Sequence, residues 1–153
     1  MDFRTRIDNQ IFGVRATALI IKDGKIFFTK DAKGHYYTIG GAIAVNETAQ
    51  DAVVREVREE LGVDSRVNQL AFVVENQFTH EEIDFHNIEF HFIVDPIEEM
   101  PKEKIEDSLK QACEWIELDN LVNLDIVPAF LAHELPNWNG QVKHIMNMKE
   151  KTI

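Results

Sequence analysis

The chain has 153 residues, 44% of them hydrophobic and 28% charged, with a formal net charge of −11. That is enough to bury one sizeable core, and the apolar fraction excludes wholesale disorder. The acidic balance argues against a protein that grips duplex DNA or anionic lipid by bulk electrostatics, although a bound divalent cation can still recruit a phosphorylated ligand. In chain order, the start MDFRTRIDNQ lacks the apolar stretch of a signal peptide. Residues 14–21 are rich in β-branched side chains and meet Asp23-Gly24 before Ile26-Phe27-Phe28, which predicts two strands joined by a hairpin turn. The apolar run at 18–21 is too short to cross a bilayer.

Residues 48–61 contain neither Gly nor Pro and are followed by Gly62, where a helix ends in a left-handed residue; they predict a helix. Residues 70–78 and 85–94 predict strands joined by the polar THEEID. Residues 95–111 hold two prolines and many charges and read as mostly loop, and 113–118 as a short strand. Residues 121–135 read as containing a helix opened near Pro128, since proline is tolerated in a first turn. Residues 142–148 are either a last edge strand or loose. Cys113 is the only cysteine, so no intrachain disulfide and no cysteine-rich zinc site can form. No linker or repeat divides the chain, and 1–153 reads as one cytoplasmic domain.

The predicted helix at 48–61 carries the chemistry. Val53, Val57 and Leu61 recur as an apolar stripe with Val54 at its side. Glu56, Glu59 and Glu60 fall on a neighbouring face, where like charges repel, while Arg55 and Arg58 lie on another flank. Clustered carboxylates suit a hard cation such as Mg²⁺, which is commonly shared between protein oxygens and substrate phosphates. For three glutamates alone, a solvated acidic face is the simpler explanation. The flanks decide the matter.

Segment 41–63 satisfies, without a gap, the pattern Gly, five residues, Glu, seven residues, Arg-Glu-aliphatic-any-Glu-Glu-any-Gly-aliphatic. The matches are Gly41, Glu47, Arg55, Glu56, Val57, Glu59, Glu60, Gly62 and Val63. The segment resembles the signature box of the Nudix hydrolases, the MutT-like nucleoside diphosphate-X pyrophosphohydrolases. Outside the box the likeness is softer: a strand pair before it, and after it an EWIEL strand followed by a proline-containing helix.

The resemblance implies an α/β fold, an α/β/α sandwich with a mixed sheet carrying a loop-helix-loop box. It implies hydrolysis of the diphosphate linkage in a nucleoside diphosphate joined to another moiety, by water activated on Mg²⁺ or Mn²⁺. Glu56 and Glu60 match the regular metal ligands, Glu59 joins them when more than one ion is bound, and Gly40 offers its backbone carbonyl. Arg55 and Glu47 match the pair that braces the loop against the helix, so Arg55 serves catalysis by orientation. Gly41 and Gly62 match backbone devices. Relatives often place glycine at position 46, where this chain has Asn46; asparagine tolerates positive φ, so the turn survives.

Beyond the box the residues say less. Markers of ADP-ribose hydrolases (proline) and dinucleoside polyphosphate hydrolases (tyrosine) are absent downstream, where Phe78, Thr79, His80 and Glu81 stand. Phe78 and His80, with Tyr37 before the box, are candidates to line a nucleotide cleft; core phenylalanines and a surface histidine are the other reading. His86 and His91 are five apart on one strand, face opposite sides and cannot share an ion. Many Nudix enzymes use one more carboxylate outside the box, and Glu114, at the start of the EWIEL strand, is the candidate here. Alternation sets it inward with Ile116 and Leu118, unless the strand begins after it and leaves it in solvent. Glu82, Glu89 and Glu106 are rivals. The implied partner is a small nucleotide, with a homodimer as an open assembly. The alternative function is a catalytically silent nucleotide sensor, which a degenerate box would favour; no box residue is missing here. Isoprenoid diphosphate isomerase chemistry needs an active-site cysteine, and Cys113 stands away from the box.

Overall fold

The computed structural model describes residues 4–106 and 108–148. Its frame is a long strand, β2 (Gln10–Lys22), flanked by the short β1 (Arg4–Ile7). Along β2, Ala16, Ala18 and Ile20 enter one apolar cluster and Leu19 the other, all fully buried. An apolar run without an exposed face is what a strand covered on both sides requires. Asp23 and Gly24 turn β2 into β3 (Lys25–Lys30) with positive φ at both positions, as the hairpin signal predicts.

The chain then passes through β4 (His35–Tyr37) and β5 (Ile39–Ala42) into α1 (Ala49–Leu61). β5 lies antiparallel to β2, with Gly40 opposite Thr17 and Gly41 opposite Ala16. A long antiparallel hairpin follows, β6 (Ser65–His80) and β7 (Ile83–Pro96), and β7 runs parallel to β2 from Gln10 to Ile20. β8 (Glu103–Glu106) and β9 (Leu109–Glu117) form another hairpin, which joins the sheet through β3. A 3-10 helix (Leu118–Asn123), β10 (Asp125–Val127), α2 (Leu131–Glu134) and β11 (Lys143–Asn147) complete the described chain. β10 lies parallel to β4, and β11 parallel to β6.

Each face of the mixed sheet has its own cover. On one, Ala52, Val53, Val57 and Leu61 of α1 pack with Ala18, Ile20, Phe92 and Val94. On the other, Leu121, Leu131 and Leu135 pack with Leu19, Phe28 and Phe72. Burying each large apolar side chain contributes about 1.5–3 kcal/mol relative to exposure, so the stripe on α1 fixes its rotation firmly. This is the expected α/β/α sandwich.

One local expectation changes and two are met. Residues 95–111 are not mostly loop: β7 extends to Pro96, and β8 with the start of β9 is paired strand whose many charged side chains hide its periodicity. Residues 121–135 contain the expected helix, α2, just after Pro128; the residue before a proline is pushed out of the α region, so Val127 ends a strand and the helix begins at Leu131. Residues 143–147 form a paired edge strand, the first of the two options.

Candidate active site

The box begins at a capped helix. Thr48 accepts a hydrogen bond from the Asp51 N–H at 3.1 Å, and Gly62 closes α1 at φ 71°, its N–H donating to Arg58 O at 2.8 Å. With the apolar stripe buried, residues 55, 56, 59 and 60 are left along the edge that faces the preceding loop.

Arg55 organises that edge. Its Nε donates to Glu47 Oε2 at 2.7 Å and its Nη2 to Glu47 Oε1 at 2.8 Å, a bidentate pair. Nη2 also donates to Ala42 O at 3.1 Å, while Nη1 donates to Glu56 Oε1 at 2.8 Å and Glu59 Oε2 at 3.1 Å. Glu47 Oε1 further accepts the Ala44 N–H at 3.0 Å. The guanidinium, helped by that backbone bond, holds the Glu47 carboxyl down at about 2, and Glu47 and Glu56 raise Arg55 still further above its ordinary value. The loop is thus tied to the helix as the Arg55–Glu47 match implies. The expectation that Arg55 sits on a separate flank from the glutamates is corrected: its long side chain curls to reach Glu56 and Glu59. Asn46 takes φ 69° in the turn before Glu47, the conformation expected of it.

The glycines explain themselves by contact. A Cβ on Gly41 would lie 2.3 Å from Glu56 Oε1, so the strand can pass this carboxylate only without a side chain. A Cβ on Gly40 would lie 2.5 Å from the backbone oxygen of Ala16. Glu56 is largely buried, Glu60 mostly buried with its Oε2 3.7 Å from Lys104 Nζ, and Glu59 exposed.

Glu114 stands apart from this cluster. The predicted alternation holds: Cys113 and Trp115 pack toward α1, whereas Ile116 and Leu118 pack on the opposite face. Glu114 follows the latter pair. Its Oε2 accepts from Tyr36 Oη at 3.1 Å, and its Oε1 lies 3.8 Å from Lys30 Nζ. A hydroxyl and an ammonium thus meet its charge on the face of the sheet opposite α1. Among the rivals, Glu82 is exposed in the β6–β7 turn and the side chain of Glu106 lies outside the described residues.

Tyr37, Phe78 and His80 come together. They line one cleft of about 640 Å³ bounded also by Arg15 and Thr17 of β2 and by residues 125–129. Phe78 stacks on Phe85 with ring centroids 4.8 Å apart, and His80 sits exposed. The floor of this cleft is Asn76, Asn87 and Glu89, all buried; of these the sequence reading named Glu89 only as a rival carboxylate and missed the two asparagines. A signal existed: Asn87, Glu89 and His91 alternate with the apolar Ile88, Phe90 and Phe92, which marks a polar stripe on a covered strand.

A family model described as NUDIX domain matches residues 12–138. The chain belongs to the NUDIX family. It is 34% identical over 115 residues to an ADP-ribose pyrophosphatase of Methanocaldococcus jannaschii; the match covers 72% of this chain and 65% of that protein, just under two thirds of its length. A MutT protein from Bacillus halodurans superposes with a TM-score of 0.65 at 16% identity, covering 86% of this chain and 89% of that one. A MutT protein from Methanosarcina mazei gives a TM-score of 0.62 at 16% identity, covering 85% and 96%. At these identities the two structures show the shared NUDIX fold.

The NUDIX box offers a donor set suited to a hard divalent ion, carboxylates and a strand-end carbonyl. Among the described residues, however, no three His, Cys, Asp or Glu side chains are grouped so as to hold a metal ion as they stand. Arg55 draws Glu56 and Glu59 to itself and Lys104 faces Glu60, so two cations stand against the charge that a metal would otherwise meet. The chemistry fits the ion, and Glu59, being exposed, has room to turn toward it. Among the described residues no helix is long and apolar enough to cross a membrane.

Proposed function

We propose that this NUDIX chain is a pyrophosphohydrolase dependent on Mg²⁺ or Mn²⁺, acting on a nucleoside diphosphate joined to a second group, of the nucleoside triphosphate or nucleotide-sugar type. The observation that carries this reading is the unbroken box in which Arg55 ties Glu47 to Glu56 and Glu59 beside Gly41. Glu56, Glu59, Glu60 and the Gly40 carbonyl would hold the ion. When bound, the ion neutralises the diphosphate and lowers the pKa of a bound water.

The chain's own residues do the rest. Arg55 and Glu47 keep the loop in place, so the Gly40–Gly41 strand end stays against Glu56. Phe78 and Tyr37 offer aromatic faces to a nucleoside within the cleft, and His80 stands at its rim. The similarity to an ADP-ribose pyrophosphatase of Methanocaldococcus jannaschii supports a substrate of this class. A soluble cytoplasmic protein without duplex DNA as ligand agrees with the net charge of −11.

The test is a panel of ADP-ribose, nucleoside triphosphates, nucleotide sugars and dinucleoside polyphosphates, assayed with Mg²⁺, with Mn²⁺ and with a chelator. Turnover of at least one member, abolished by the chelator, is expected. Tight nucleotide binding with no turnover across the panel would establish a silent sensor instead.

A further inference from the structure

The cleft floor holds a buried carboxylate apart from the box. Glu89 is 5% exposed and lines the cleft. His91 Nε2 lies 2.9 Å from its Oε1, and Asn76 Nδ2 donates to its Oε2 at 3.0 Å, with Asn87 Nδ2 reaching the same oxygen at 3.5 Å. Asn76 is itself oriented from β11, because its Oδ1 accepts from Asn147 Nδ2 at 2.7 Å. His91 is fully buried, edge-on to Phe72 and Phe130, and its Nδ1 has no hydrogen-bond partner among the described residues. The imidazole therefore serves Glu89 alone.

Burial pushes the Glu89 carboxyl up, but His91, Asn76 and the nearby charge of Arg15 outweigh it and hold the group below its ordinary range. A buried carboxylate is expensive, and an apolar residue at this position would remove the whole cost. Side chains from β2, β6, β7 and β11 nonetheless keep this one ionised. An ionised carboxylate accepts about four hydrogen bonds, and the protein supplies three donors, one of them long. The remaining acceptor capacity faces the cleft.

We propose that Glu89 selects the nucleobase: it accepts a hydrogen bond from the exocyclic amino group of adenine or cytosine. Guanine, uracil and thymine present a carbonyl oxygen at the matching position, which an anionic acceptor repels. His91 and Asn76 are positioning residues that aim the carboxylate. The inference rests on the cleft being the nucleotide site of the proposed hydrolase.

The experiment measures binding without divalent metal, in chelator, by calorimetric titration of nucleoside 5′-monophosphates. Two pairs isolate the amino group: AMP against purine riboside 5′-monophosphate, and CMP against UMP. Loss of the amino group should weaken binding at least about tenfold, the scale of an unpaired buried acceptor. Glu89→Gln, checked by thermal unfolding, should reduce the CMP-to-UMP ratio below about threefold, since the neutral amide also donates. Should that variant not fold, the two ligand pairs on the unaltered protein carry the test alone. Equal affinities within each pair overturn the assignment, as does a full ratio in folded Glu89→Gln or no binding of any of the four. Because no turnover is read, the two readings fail separately. A base-selective protein that hydrolyses nothing loses the hydrolase reading and keeps Glu89, whereas metal-dependent hydrolysis blind to the amino group does the reverse.

Discussion

The box and the cleft floor both gather carboxylates, and they neutralise them in opposite ways. Around Arg55, three glutamates share one guanidinium at the protein's edge. On the cleft floor, one buried glutamate is held by an imidazole and two amides. The first arrangement sets carboxylates against a cation at the protein's edge, so another cation can compete for the same oxygens. The second buries a single carboxylate among side-chain donors and leaves it an acceptor. The exposed edge suits metal exchange; the buried floor suits recognition.

Breaking the hub of the first arrangement should have the largest effect. Arg55→Lys keeps the charge but loses the fork that reaches Glu47, Ala42, Glu56 and Glu59 together. We expect kcat to fall on the order of 100-fold, as for residues that orient metal ligands, with KM within about threefold. Unchanged kcat with raised KM would place Arg55 on the substrate instead.

The paired glycines separate activity from stability. Gly41→Ala puts a methyl against the Glu56 carboxylate, a movable group, and should cost about tenfold in turnover with a nearly unchanged melting temperature. Gly40→Ala meets the backbone oxygen of Ala16, which cannot move aside, and should cost about 1–3 kcal/mol of stability. Parallel melting curves and rates check both.

Acid should loosen the brace in a defined window. Glu47 is lowered from 4.5 to about 2 in the folded protein, so its contribution is complete above pH 4.5 and lost as pH falls from there toward 2. Glu47→Gln should flatten the pH dependence of the melting temperature in that window. A dependence that survives unchanged would place the titrating group elsewhere.

The smallest effect belongs to Glu114. Bonded to Tyr36 on the far face, it should tolerate Glu114→Gln with kcat within about threefold of the unaltered protein. A loss comparable with that of Arg55→Lys would return it to the reaction.

The pattern of what was readable follows from range. The box was legible because its residues are close in sequence and bonded to one another; even the positive φ of Asn46 follows from one side chain. The hairpin at Asp23-Gly24 and α1 with its caps are equally local. For Glu114 the alternation was legible, but which face carries α1 was not, because that depends on how β9 docks against β3. Within 121–135 the helix after Pro128 was legible, but the strand β10 before it was not, because its partner β4 lies nearly a hundred residues earlier. Glu89 was only a rival carboxylate in the sequence, since Asn76 and Asn147, which complete its setting, are far away along the chain.

The central claim is that Glu56 and Glu60 bind a divalent cation, and Mn²⁺ titration followed by water-proton relaxation tests it without any substrate. The unaltered protein should show saturable binding, weakened at least about tenfold in Glu56→Gln and in Glu60→Gln, both still melting cooperatively. Mn²⁺ affinity equal to that of the unaltered protein in either folded variant would contradict the assignment of that residue, and equality in both would remove the metal from the box.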